Sequence, residues 1–216
     1  MWNETINLLI SGTWETIYMV LIAGAISVIG GIPLGIILLT TRKNGILANQ
    51  LWYYGLGIIV NIIRSIPFII LLVALIPFTR LLVGTAIGTT AAIVPLAIGA
   101  IPFVARIVES ALAEVAEGLV EAGKAMGATP CQIIYKILLP EALPTIINGI
   151  TITLITLVGY SAMAGAVGGG GLGEIAIDYG YQRFNTTIML TTVLILIALV
   201  HLIQWTGEWW SKKLSH

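Results

Sequence analysis

Residues 109–144 read ESALAEVAEGLVEAGKAMGATPCQIIYKILLPEALP, a polar island in an otherwise apolar chain. Five of the ten acidic residues lie here: Glu109, Glu114, Glu117, Glu121 and Glu141. The stretch is too polar for hydrocarbon, yet strong helix formers fill it and Ala111 to Met126 contains no proline, so a helix is expected there. Gly127 is the expected stop, because glycine accepts the left-handed conformation that closes many helices. Thr129-Pro130-Cys131-Gln132 then restarts a helix. Thr129 is the cap, Pro130 suits the first helical position and Gln132 completes a capping box. This second helix is expected to end near Pro140. The pattern predicts a helix–turn–helix outside the bilayer. Ile133, Ile134, Ile137 and Leu138 recur on it at helical spacing, a face too apolar to leave in water. A connector of this length is uncommon without a task. Docking into a partner's groove accounts for both features, a solvated connector being the plainer reading.

Outward from the island, both flanks are apolar. The 216 residues are 58% hydrophobic and 9% charged, with mean hydropathy +1.02. Soluble domains carry about a quarter charged residues, so the composition excludes a water-coated globule. About 20 apolar residues make a helix that crosses the hydrocarbon layer. Runs of that kind predict five transmembrane helices, at 14–40, 56–77, 90–108, 143–167 and 187–207. A β-barrel would show alternating segments of about 10 residues instead, and a backbone in lipid has to satisfy its own hydrogen bonds. The expected class is all-α integral membrane, residues 1–216 forming one transmembrane domain with the segment 109–144 attached. The first residues carry Glu4 and no Lys or Arg before the first run, unlike a secretory signal, so that run is expected to be mature structure.

Basic residues orient the spans, since they favour the cytoplasm. Arg42, Lys43, Arg106, Lys124, Lys136, Lys212 and Lys213 fall on one side of the five-span scheme, Arg80 and Arg183 on the other, and Arg64 within a span. The N-terminus is therefore expected outside and the C-terminus inside. Small residues such as Gly31 and Gly35 are expected to let helices approach closely. The lone Cys131 excludes a disulfide within the chain. No metal-ligating cluster, paired carboxylates or catalytic constellation stands out, nothing points to nucleic acid, and His201 reads as a packing or interfacial residue. His216 is expected to be disordered.

Glu121-Ala122-Gly123, Gly127 and Ile137-Leu138-Leu139-Pro140 resemble the EAA motif of ATP-binding-cassette importer permeases, in which E-A-A, three residues, Gly, nine residues and I-x-L-P recur. Gly123 in place of the third alanine is the departure. Arg64-Ser65-Ile66-Pro67 is similar to the R-x-x-P segment of amino-acid importer permeases. Ala128-Thr129-Pro130, Pro140-Glu141-Ala142-Leu143-Pro144 and residues 153–173 look most like methionine importer permeases. The resemblance implies a multi-pass subunit of the bacterial inner membrane that binds no cofactor itself. It further implies a second copy of the permease, two ATPase subunits that use ATP and magnesium, and a periplasmic methionine-binding lipoprotein, within membrane lipid. The chain has no G-x-x-x-x-G-K-[ST] loop, so it cannot hydrolyse ATP by that route.

The candidate ATPase-coupling residues are Glu121, Ala122, Gly123, Gly127, Thr129, Pro130, Gln132, Ile137, Leu139 and Pro140. Arg64, a charge inside a span, either snorkels to the interface or lines a water-filled cavity. Tyr160, Ser161 and Met163 suit a gate or a transient methionine contact at a dimer axis, or ordinary packing. Gly168, Gly170 and Gly173 spell a literal G-x-G-x-x-G with no preceding strand, expected as a flexible outer loop. The expected function is methionine import. The same machine carrying another amino acid or small solute is one alternative and an ion-driven carrier another.

Overall fold

The computed structural model describes residues 2–214, so His216 lies outside the described residues. No strand occurs among them. Helix α1 spans Trp2–Thr41, longer than its predicted run at the amino-terminal end. At about 1.5 Å per residue its 40 residues reach some 60 Å, about twice the hydrocarbon thickness, so it extends well past a membrane. It pairs with α5, Thr89–Ala113, along most of its length. Gly31 and Gly35 make this approach possible. A Cβ on Gly31 would come 2.6 Å from the Val104 Cβ, and one on Gly35 the same distance from the Ala105 carbonyl.

The expected second span is not one helix. Helix α2, Gln50–Ser65, starts on an Asn49 cap and ends before Pro67. Helix α3, Phe68–Ala74, leaves it at a 103° bend. Proline disfavours helical angles in the residue before it, and Ile66 accordingly sits extended at φ −81°, ψ 124°. Helix α4, Ile76–Val83, closes on Gly84. Among the described residues four helices are long and apolar enough to cross a membrane, counting Pro130–Gly165 as one, and the bent pair α2–α3 makes a fifth if it counts as one span.

A second difference concerns residues 111–126. Helix α5 stops at Ala113, and α6 begins only at Glu117 and runs to Ala125. Helix propensity cannot foresee this break. Val115 turns into the core that it shares with Leu39, Ile133, Ile134 and Leu138, burial that local propensity does not encode. A third concerns Pro140. Helix α7, Pro130–Ile133, winds through a π-type turn, Ile134–Leu138, directly into α8, Leu139–Gly165. Proline has no N–H and crowds the carbonyl four residues back. The wider turn, with the Leu139 N–H reaching the Ile134 carbonyl, carries the helix past it.

Beyond α8 a short helix α9, Gly171–Ile175, continues through a second π-type turn, Ala176–Gln182. The last helix, α10, Thr186–Leu214, lies against α8. There Gly207 meets Thr151, and the Ser211 hydroxyl donates to the Pro144 carbonyl at 3.2 Å. Its other side is exposed at Leu190, Leu194, Ile197, Leu202 and Trp205, a surface suited to lipid.

Candidate coupling segment and translocation cavity

The turn between α6 and α7 is built from local chemistry. The Ala128 N–H donates to the Gly123 carbonyl at 3.0 Å and the Gly127 N–H to the Lys124 carbonyl at 2.9 Å, the paired bonds of a Schellman closure. Gly127 takes φ 78° there, in open space. The Gln132 N–H donates to the Thr129 hydroxyl at 3.3 Å, and the Thr129 N–H donates to the Gln132 side-chain carbonyl at 2.8 Å, so the capping box is complete. Pro130 occupies the first turn, where a missing N–H costs nothing.

The apolar stripe on this segment serves the chain's own core. Ile133, Ile134 and Leu138 are buried with Val104, Val108 and Leu112 of α5 and with Leu39 of α1. A partner is therefore not needed to cover them, which corrects that part of the sequence argument. What faces outward is Glu121, Ala122, Gly127, Thr129, Pro130 and Gln132, with Met126 81% and Tyr135 70% exposed beside them. Pro140 is exposed and Leu139 half-buried. Gly123 is buried under Ile137, and a Cβ there would stand 2.7 Å from the Ile137 Cδ1. The departure from E-A-A thus makes room for this isoleucine. A groove of about 260 Å³ separates α6 from the α1–α2 connection and is lined by Arg42, Glu117, Glu121 and Lys124 among others.

Of the four candidate path residues, two converge. Arg64 and Tyr160 line one cavity of about 150 Å³ at the α2–α3 bend, closed by α5 and α8. The Arg64 guanidinium lies 5.8 Å from the Phe103 ring centre, and Tyr160 stacks on Phe68 at 4.3 Å, nearly parallel. Ser161 is buried and donates to the Val158 carbonyl at 2.8 Å. Met163 is exposed on α8, outside the cavity lining.

Two networks were missed by sequence reasoning. Arg106 donates to Glu109 at 2.6 Å and to the Asn61 side-chain oxygen at 3.0 Å, tying α5 to α2. Opposite charges three apart on one helix face were the available signal. At the other end, the glycine-rich segment is packed rather than a flexible loop. Its Gly171 N–H donates to the Glu15 carboxylate at 2.7 Å and its Leu172 N–H to the Thr16 hydroxyl at 2.9 Å. The Gly170 N–H donates to Glu174 at 2.8 Å. Glu15, an acid at the edge of an apolar run, was the residue to question.

A helical bundle with a stiff, capped, outward-facing helix pair at one end has the form of a transport permease. The family model for the binding-protein-dependent transport system inner membrane component matches residues 31–216, and the chain belongs to that family. A probable D-methionine transport system permease protein MetI from Vibrio cholerae is 62% identical over 210 residues, covering 97% of this chain and 93% of the relative. The D-methionine transport system permease protein MetI of Escherichia coli K12 is 60% identical over 158 residues, 73% of each chain. A chain of the MetNI methionine ABC transporter in an inward-facing conformation superposes with TM-score 0.98 at 54% identity over the full length of both. An amino acid ABC transporter with histidines shares the fold, with TM-score 0.80 at 20% identity over 98% of this chain and 96% of the other.

Proposed function

We propose that this chain is the membrane permease of an ATP-driven methionine importer. Its full-length likeness to the methionine transporter chain supports this most directly. It acts as two copies with two ATPase subunits, and it receives substrate from a periplasmic binding lipoprotein. The N-terminus lies in the periplasm and the C-terminus in the cytoplasm of a bacterial inner membrane, as the distribution of basic residues favours.

The exposed side of α6 and α7 seats in the ATPase. Glu121, Ala122, Gly127, Thr129, Pro130 and Gln132 form the contact. Gly123, Ile137, Leu139 and Pro140 set how α6 lies on the α7–α8 rod. Movement of the ATPases is carried along that rod to the cavity at Arg64 and Tyr160, part of a path between inward- and outward-open states. Tyr160, Ser161 and Met163 belong to the gating stretch of α8.

The test is uptake of radiolabelled methionine into proteoliposomes holding permease and ATPase, with ATP inside and binding protein outside. Uptake is expected only with all components present. Uptake driven by an ion gradient without ATP would overturn the class. ATP-driven uptake of a different amino acid would overturn the substrate alone.

A further inference from the structure

Helix α2 supplies one wall of the cavity and packs mainly against α1 and α5, so displacement of the coupling segment reaches it chiefly through them. Apolar burial holds it in place. Val60 of α2 is buried with Leu38 of α1 and Ala105 of α5, and Tyr53 and Leu56 pack on the same cluster. Such contact keeps helices together but has no direction, and packed helices can slide on one another. One polar side chain removes that freedom. Arg106 of α5 donates through Nη1 to Glu109 Oε2 at 2.6 Å. Through Nη2 it donates to Asn61 Oδ1 at 3.0 Å and to the Gly57 carbonyl at 3.5 Å, both on α2.

This fork is built for direction rather than for stability. The pair is largely shielded, with side-chain exposures of 24% for Arg106 and 14% for Glu109. Desolvating two charges offsets much of their attraction, so a shielded pair is a weak source of stability and is best attested as a fixer of geometry. The Arg106 Nε is buried with no hydrogen-bond partner among the described residues, one donor given up for the direction of the other two. A planar guanidinium held at both terminal nitrogens resists sliding and rotation, which a lysine's point charge does not. Its place in the chain matters equally. Arg106 stands seven residues before Ala113, where α5 ends and the chain turns toward α6. Asn61 stands three residues before Arg64 and four before Ser65, where α2 ends. The clamp therefore joins the last turns of two helices, one leading to the coupling segment and the other to the α2–α3 bend.

We propose that Arg106 is a positioning residue for transport, a strut that makes α2 and α5 one body so that displacement of the coupling segment turns the α2–α3 bend. It is a second line to the cavity beside the α7–α8 rod, and it serves the α2 wall. The proposal deepens the importer reading and rests on it for the source of the motion. Three further substitutions separate the strut's parts. Asn61→Leu cuts the side-chain tie to α2 and keeps the pair with Glu109. Glu109→Gln removes the charge of the acceptor and keeps the tie. Arg106→Lys keeps the positive charge but lacks the fork that reaches both partners at once.

The experiment follows ATP hydrolysis and radiolabelled methionine import side by side in proteoliposomes holding permease and ATPase, with binding protein outside and ATP inside. Arg106→Met and Asn61→Leu are expected to co-purify with the ATPase and to hydrolyse ATP within about twofold of wild type. Methionine imported per ATP should fall about five- to tenfold in both, the scale of a coupling network cut between two sites. Glu109→Gln is expected to lose less, and Arg106→Lys to recover part of the loss. A second readout needs no methionine. In nanodiscs, a non-hydrolysable ATP analogue should change amide hydrogen exchange across both 117–125 and 63–70 in wild type, and across 117–125 alone in Arg106→Met and Asn61→Leu. Should Arg106→Met fail to assemble, Asn61→Leu decides alone. Wild-type import per ATP in these variants overturns the strut, as does a preserved exchange response at 63–70. An equal loss of hydrolysis and import also overturns it, since that marks a merely structural contact. Import by wild type with an undiminished response in the variants removes the strut and leaves the importer standing. An Arg106-dependent response at 63–70 without import by wild type does the reverse.

Discussion

Gly127 and Gly171 hold nearly the same backbone angle, φ 78° and 77°, at opposite ends of α8. Gly127 has nothing within 4 Å of the position a Cβ would take. Gly171 is roofed by α1, where a Cβ would stand 2.7 Å from the Thr16 hydroxyl and 2.9 Å from the Met19 terminal methyl. The first glycine answers to its sequence neighbours through the Schellman closure and the capping box. The second answers to residues 156 positions away. One end of the bundle is specified locally and the other by tertiary contact, so the same residue type does different jobs at equal φ.

The sharpest way to break this comparison is to add one methyl at each end. Gly171→Ala is expected to lose about 3 kcal/mol, from left-handed strain and collision with α1 together. Gly127→Ala carries the strain alone and is expected to lose about 1 kcal/mol. Unfolding of purified protein in detergent measures both, and equal losses would refute the difference in surroundings.

A smaller effect is expected from Glu15→Gln, which keeps the shape but replaces a charged acceptor of the Gly171 N–H by a neutral one. Hydrogen bonds to charged groups contribute about 1.5–3 kcal/mol, and part of that should be lost. Hydrogen exchange should speed up across residues 170–175 and stay unchanged across 123–133. Faster exchange at both ends would mean that the two are not separately specified.

The smallest effect sharpens the local side. Gly123→Ala pushes against the flexible end of Ile137, so stability should fall by under about 1 kcal/mol. The tilt of α6 should change enough to weaken ATPase co-purification. Ile137→Val in the same chain should restore it, and a failure to restore would place the defect elsewhere.

This division also explains what could be read in the chain. Thr129, Pro130, Gln132 and Gly127 were legible because each acts on atoms within a few residues. The stripe Ile133, Ile134, Ile137 and Leu138 announced a covered face that was read as one for a partner's groove, and α5 proved to supply much of the cover, because a periodic pattern does not say which surface meets it. Pro67 lay in plain view, but the apolar run around it looked continuous because hydropathy does not register φ and ψ. The convergence of Arg64 with Tyr160 depends on how α2, α5 and α8 stack, which no local pattern encodes.

The backbone from Pro130 to Gly165 never leaves the helix, although Ile134–Leu138 winds more widely than the rest. Counted as phase, a π turn is one extra residue, worth about 100° of rotation at 3.6 residues per turn. That offset sets the compass bearing of Tyr160 relative to the Thr129 cap. Winding the same residues as a uniform α-helix would leave both ends intact and turn one against the other by about 100°, so the angle between the two ends is written in the winding of five residues.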